Sequence, residues 1–152
     1  MKKLNTKGLS AVMALLGMTL TLDAWPDAPR ESIHVPVGQL KWFATGIGPL
    51  QGAAAYGDMS TGAHGTFLKM PKGFVSPVHS HSNEYQGVVI SGIVVNSEVG
   101  QPDITMKPGS YWFQKGNVNH VTKCVSSKGC VVFLTQPDKF DFIPDQGKSM
   151  KK

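Results

Sequence analysis

Residues 73–92 read GFVSPVHSHSNEYQGVVISG, from Gly73 to Gly92. His79 and His81 stand at i and i+2. On an extended chain that spacing puts both rings on one face, a few ångströms apart. Two imidazoles so placed can chelate one metal ion, and imidazole suits iron, manganese, zinc, nickel and copper. Pro77 places the segment from Val75 to His81 at a strand start or sheet edge. Tyr85 to Val95 is the strongest apolar run of the chain, and Gly92 breaks it with a tight turn. A third histidine, His120, follows the polar stretch Lys115-Gly-Asn-Val-Asn119 and is delivered by that turn into another strand.

Outward from this stretch, the chain reads as short strands separated by Gly- and Pro-rich turns. Val35 to Ala44 carries Val, Leu, Trp and Phe in loose alternation. Gly46 to Ala55 reads as a loop or irregular edge. His64 to Met70 is a strand closed by Pro71-Lys-Gly73. Short strands follow at Asp103–Met106 and Ser110–Gln114, the second after the turn Pro108-Gly109. His120–Val125 and Cys130–Thr135 read as the two strands of a hairpin. Asp138–Ile143 is a last short strand, stopped by Pro144. No window from Trp25 onward holds a helical apolar period for three turns. The chain is therefore expected to be all-β, a sandwich or small barrel.

The segment Gly73, five residues, His79-Ser-His81, three residues, Tyr85, six residues, Gly92 resembles the first motif of the cupin superfamily. Gly109 to His120 resembles the second motif and its third histidine. Tyr56-Gly-Asp58, Gly62-Ala-His-Gly-Thr-Phe67 and Ser110-Tyr-Trp-Phe-Gln114 further resemble the ChrR-like bacterial cupins. The resemblance covers roughly residues 35–136. It implies a double-stranded β-helix, or jelly-roll, barrel. It also implies one divalent metal ion (Fe, Mn or Zn) held by His79, His81 and His120. The superfamily spans dioxygenases, isomerases, decarboxylases, sugar-binding regulators and storage proteins, so activity has to be read from the site.

The fourth ligand of the family pattern is Glu or Gln, and here that position is Tyr85. Gln86 would put the closing glycine out of step, and alternation turns it to the opposite face from Tyr85. Glu84 stands one residue early. Three arrangements stay open: Tyr85 ligating or bonding a metal-bound water, Glu84 reaching in from the loop, or three histidines with open water positions. In the second motif Lys115 and Asn117 replace a usual Pro and Gly. Trp112 and Gln114 share the strand face that lines the family's barrel, and Phe67 lies on the strand before the first motif. These three are substrate-binding candidates beside a core-packing reading.

Cys124, four residues after His120, shares a strand face with it and is either a pocket-lining thiol or half of a disulfide with Cys130. The two cysteines bracket a short polar turn, the spacing of a bridge that closes a hairpin; two buried thiols are the alternative. For acid–base work the candidates are Glu84, Tyr85 and His64. No nucleophile triad, phosphate loop or dinucleotide-binding pattern is present. Three histidines with few titratable neighbours suit oxygen chemistry, in which the metal carries the reaction, or simple binding. The ligand expected is a small, largely neutral organic molecule, because Arg30, the one arginine of the chain, lies outside the strands and no bidentate clamp exists.

The chain has 152 residues and a formal charge of +5. Only 16% of residues are charged, against about 25% in a usual soluble domain. That argues against charge-driven disorder and against a coiled coil. Lys2, Lys3, Lys7, Lys148, Lys151 and Lys152 lie at the two ends, and residues 25–147 hold nine basic and nine acidic side chains. A neutral body gives no phosphate-contacting face, so no nucleic-acid partner is expected. Leu9 to Leu22 is a 14-residue uncharged run behind a lysine-rich start. It is shorter than the roughly 20 residues of a membrane-spanning helix. Residues 1–24 are expected to be a signal peptide that delivers the chain to the periplasm or medium, with no stable membrane association after cleavage; a retained N-terminal anchor is the alternative reading. Residues 25–147 are expected to form one domain, a cupin as the resemblance implies, and 148–152 a basic tail. Open sheet edges near Val35–Ala44 make a homodimer the expected assembly.

Overall fold

Alternating apolar residues build two antiparallel sheets that face each other, the sandwich expected from the strand pattern in the jelly-roll topology that the resemblance implies. The computed structural model of the chain describes residues 31–146. The signal segment 1–24 and the tail 148–152 lie outside the described residues. Every element falls in one compact unit beginning at Ile33. The strands are β1 Phe43–Ala44, β2 Gln51–Gly57, β3 His64–Met70, β4 His79–Ser80, β5 Tyr85–Ser91, β6 Val94–Glu98, β7 Thr105–Met106, β8 Tyr111–Gln114, β9 His120–Cys124, β10 Cys130–Gln136 and β11 Ile143–Pro144. One sheet has the order β1-β2-β3-β10-β5-β8 and the other β11-β4-β9-β6-β7. Neither sheet closes on itself, so the barrel of the family is here a two-sheet sandwich.

Registers set the core. Leu68 faces Val132 across β3 and β10, and Val132 faces Val89 across β10 and β5. With Met70, Leu134 and Val94 these side chains fill the space between the sheets. The period of two in β10, where Cys130, Val132, Leu134 and Gln136 are buried, is what burial of one sheet face demands. Gly87 sits opposite Trp112. A Cβ there would come within 2.2 Å of the indole, so glycine is what lets Trp112 lie across β5.

Four local readings are corrected by the topology. Val35–Ala44 is strand only at Phe43–Ala44, after a short 3-10 turn at Val37–Gln39. The Ala-rich stretch read as loop is β2, a seven-residue strand, because pairing with β3 overrides the low strand preference of Ala and Gly. Pro144 does not stop the last strand but pairs with His79 in β11, which is tolerated because β11 is an edge. β9 and β10 are not a hairpin, since β9 pairs with β4 and β6 and β10 with β3 and β5. Their turn crosses from one sheet to the other. The Cys124–Cys130 disulfide, Cα–Cα 5.8 Å, therefore ties the two sheets together. By loop-closure entropy such a short bridge contributes about 2 kcal/mol.

Candidate metal centre

β4 and β9 bring the histidines together, because His79 and His120 are register partners. His81, one residue beyond β4, completes the group. Ring centroids are 4.3 Å apart for His79 and His120, 4.9 Å for His79 and His81, and 5.2 Å for His81 and His120. All three rings are buried. One nitrogen of each lies within 4.8 Å of the others, close enough to hold one metal ion.

The other nitrogens fix the rings. His79 Nδ1 lies 2.9 Å from the Pro77 carbonyl, His120 Nδ1 3.0 Å from the Val118 carbonyl, and His81 Nδ1 against the Asp141 carbonyl. A carbonyl only accepts, so each Nδ1 carries the hydrogen and each Nε2 presents a lone pair. This is the tautomer and orientation a metal ligand needs. Burial lowers the pKa of His79 and of His81 to about 4 and that of His120 in the same direction. The three rings are thus neutral at pH 7, as metal binding requires.

The turn before His120 is tied to the first motif. Asn117 takes φ +59°, a left-handed conformation that Asn tolerates better than most residues. Its N–H donates to the His81 carbonyl at 2.7 Å and its side-chain amide to the Ser82 carbonyl at 3.2 Å. Asn therefore serves where the family pattern has Gly.

Tyr85 is buried at the same centre. Its hydroxyl lies 3.4 Å from His120 Nε2 and 3.3 Å from Asn96 Oδ1. Asn96 Nδ2 donates to Gln114 Oε1 at 2.8 Å, which fixes Asn96 Oδ1 as the acceptor for both Tyr85 and Thr122. Burial raises the Tyr85 pKa to about 12, so it stays a phenol. On the opposite side a strap at residues 138–144 covers the histidines. Phe142 stacks on His79 with centroids 4.3 Å apart, Phe140 lies 4.6 Å from His81, and the Asp141 carboxylate accepts from Ser82 N at 2.8 Å.

Residues 38–141 match a family described as Domain of unknown function (DUF4437). The chain belongs to this DUF4437 family. No curated protein matches it. Among solved structures it is similar to the polyketide cyclase RemF from Streptomyces resistomycificus, with TM-score 0.63 and 14% identity over 78% of this chain and 89% of that one. It is also similar to an RmlC-like cupin from Shewanella frigidimarina, with TM-score 0.55 and 20% identity over 70% and 92%. A chain of the Rhodobacter sphaeroides complex of SigE with the anti-sigma ChrR matches with TM-score 0.53 and 17% identity, over 66% and 51%. At such identities the likeness is one of fold, and the fold is that of the cupin superfamily.

In this DUF4437 chain a cavity of about 50 Å³ opens beside the histidines. Tyr85 and Trp112 line it; Glu84, Gln114, Phe67 and Cys124 do not. Glu84 is exposed. Gln114 is buried behind the lining and acts through Asn96. Phe67 points to the outer face of its sheet, where its ring lies 5.1 Å from Phe133; the inward residues of β3 are His64, Thr66, Leu68 and Met70. Cys124 is in the disulfide. His64 is buried with both ring nitrogens engaged, at 2.9 Å to Thr66 Oγ1 and 3.3 Å to Gln136 Oε1, so it offers no free base. Sequence reasoning missed Asn96, Thr122 and the strap. The alternation Phe140-Asp141-Phe142 was the one readable signal for the strap.

Proposed function

We propose that this DUF4437 protein is a metal-dependent cupin that oxidises a small, largely neutral organic molecule with dioxygen. The observation that carries this reading is the convergence of three Nε2 lone pairs beside an apolar cavity. The donor set suits iron, manganese or zinc. Three protein ligands leave coordination positions open, and iron or manganese bound there would supply sites for substrate and dioxygen. The chain's own residues exclude water through Phe140, Phe142 and Trp112 and present a neutral phenol at the centre. The residues shared with the ChrR-like cupins support a relation to that group within the superfamily, as part of the same proposal.

A second reading, a non-catalytic metal- or ligand-binding cupin, is favoured by the lack of a free base. Glu84 is exposed, both His64 nitrogens are engaged, and Tyr85 is held protonated. Metal analysis of untagged protein with an oxygen electrode separates the two. Iron or manganese near one per chain, with oxygen uptake on a substrate panel, is the expected result. Tyr85→Phe should then keep its metal and lose about 10–100-fold in turnover. Zinc or no metal, with no uptake, overturns the oxidase reading.

Export to the periplasm or medium is part of the proposal, supported by the lysine-led apolar start and by a disulfide that an oxidising compartment favours. Among the described residues no helix is long and apolar enough to cross a membrane. Intact mass of the protein recovered from cell fractions should show a chain starting near Trp25. A cytoplasmic protein that retains Met1-Lys2-Lys3 would refute export.

A further inference from the structure

We propose that a second cavity, on the outer face of the six-stranded sheet, takes a small soluble phosphate monoester, its phosphate between Lys69 and Lys128 and its uncharged body over Val131. This goes beyond the metal-site reading and does not rest on it. The cavity measures about 260 Å³, against about 50 Å³ beside the histidines. Registers build it. Gln51 pairs with Lys69 across β2 and β3, Lys69 with Val131 across β3 and β10, and Val131 with Ser91 across β10 and β5. These four side chains make one row on the face turned away from the core. Ser91 joins the row only because the pairing slips between Val131 and Val132, which leaves Ile90 as an extra residue in β5. By strict alternation Ser91 would share the inward face of Val89. Bulges re-aim side chains in this way, and they recur beside functional sites. Lys128 comes from the turn between β9 and β10, the turn that the disulfide closes.

The charge balance selects the ligand. The lining holds two lysines and no Asp or Glu. Lys69 Nζ sits 4.0 Å over the Trp42 ring, which steadies the ammonium and leaves its hydrogens free to donate. Among the described residues neither lysine is in an ion pair, and neither the Gln51 amide nor the Ser91 hydroxyl has a hydrogen-bond partner. Two point charges, an amide and a hydroxyl offer donors from several directions. That set matches a tetrahedral dianion with three acceptor oxygens. A planar carboxylate is better served by the fork of an arginine, and none lines the cavity. The body is uncharged, because an ammonium group would find no carboxylate here and a second anionic group no further cation. Pro49, Met70, Pro71 and Val131 give it an apolar wall. Lys128, Gln51 and Ser91 are exposed, so the attraction is open to screening by salt.

Two-dimensional amide NMR of the metal-free protein tests this, because without metal the histidine centre adds no anion site of its own. The probes are n-propyl phosphate, inorganic phosphate, n-butyrate and n-propanol, with phosphatidate vesicles as a further arm. Propyl phosphate should shift the amides of Lys69, Ser91, Gly129 and Val131 and leave that of His120 in place. It should bind at least about tenfold tighter than butyrate or propanol, and tighter than inorganic phosphate by about fourfold for each methylene it buries. Sodium chloride at about 0.5 M should weaken it several-fold. Lys69→Met and Lys128→Met should each cost about tenfold in affinity, and Lys123→Met, whose lysine pairs with Asp103, should cost nothing. Lys128 stands exposed on a turn, so its variant decides the matter if Lys69→Met fails to fold. Shifts centred on His120, or a Lys128→Met protein that binds as the parent does, overturn the site. Butyrate binding as well as propyl phosphate overturns the phosphate group, and inorganic phosphate binding as well overturns the body. Binding to the vesicles with none to propyl phosphate overturns the soluble ligand.

Discussion

His120→Ala is expected to abolish metal binding, and to destabilise the metal-free fold mainly by the void its buried ring leaves. The reason lies in how the ring is held. His120 has one short bond, from Nδ1 to the Val118 carbonyl, worth about 1 kcal/mol, and a long contact of Nε2 to the Tyr85 hydroxyl. Its Nε2 instead meets two other lone pairs and the Tyr85 hydroxyl, an arrangement that serves a metal better than it serves the empty fold. Removing it leaves two nitrogen donors, and bound metal should fall from near one per chain to below about a tenth after dialysis. Losing even an outer partner of a metal ligand costs 10–100-fold in affinity, and losing the ligand costs more. His64→Ala is the mirror case. Both His64 nitrogens are bonded to buried partners, Thr66 and Gln136. Their loss leaves two polar groups unpaired and a void, at about 2–5 kcal/mol, with metal content unchanged. Metal analysis and thermal melts of both variants check this. A His120→Ala protein that still holds metal near one per chain, like His64→Ala, would show that the triad is a structural cluster and not the metal site.

This contrast also shows what could be read in the chain before any fold was known. His79, His81 and His120 were legible because the spacing of two and a glycine turn are local features. Their neutrality was not, because it comes from burial in the folded sandwich, and their tautomer is set by the carbonyls of Pro77, Val118 and Asp141. Pro77 and Val118 each lie two residues before their histidine, but Asp141 is 60 residues beyond His81. The same limit explains the false hairpin. Val125–Gly129 has the composition of a hairpin turn, and nothing local says that the jelly roll sends β9 and β10 into opposite sheets. Phe67 shows a parity error. The strand was assigned from His64 to Met70, as the structure has it, but which alternate set faces inward is decided by β10 and β5. Asn96 is a polar residue in the run Val94-Val-Asn-Ser-Glu98 and reads as solvated. Only the sheet places it between Tyr85, Gln114 and Thr122.

Acidification gives the second large effect, and its sign follows from the direction of the histidine shifts. An unfolded histidine titrates near 6.5. In the folded, metal-free protein His79 and His81 titrate at about 4, and His120 below its ordinary value. Between these limits the unfolded chain binds more protons than the folded one, so folding stability falls as pH falls. The stability is fully present above pH 6.5 and is lost progressively toward pH 4. Below that, the rings charge in the folded state as well, and their mutual repulsion acts on the sandwich. Each of the two strongly shifted rings should contribute about 1–3 kcal/mol to the loss. Metal binding has a different profile. Because the free rings of His79 and His81 are already neutral above about pH 5, their share of the affinity should be nearly flat from pH 7 to 5 and fall steeply only near pH 4. Three solvated histidines would instead begin losing metal near pH 6.5. Urea midpoints of the metal-free protein between pH 7 and 4, with zinc affinity over the same range, separate the two. A stability curve flat down to pH 4.5, or affinity already falling at pH 6.5, would mean that the rings are not held neutral by burial, and that the carbonyl-pinned geometry does not set their chemistry.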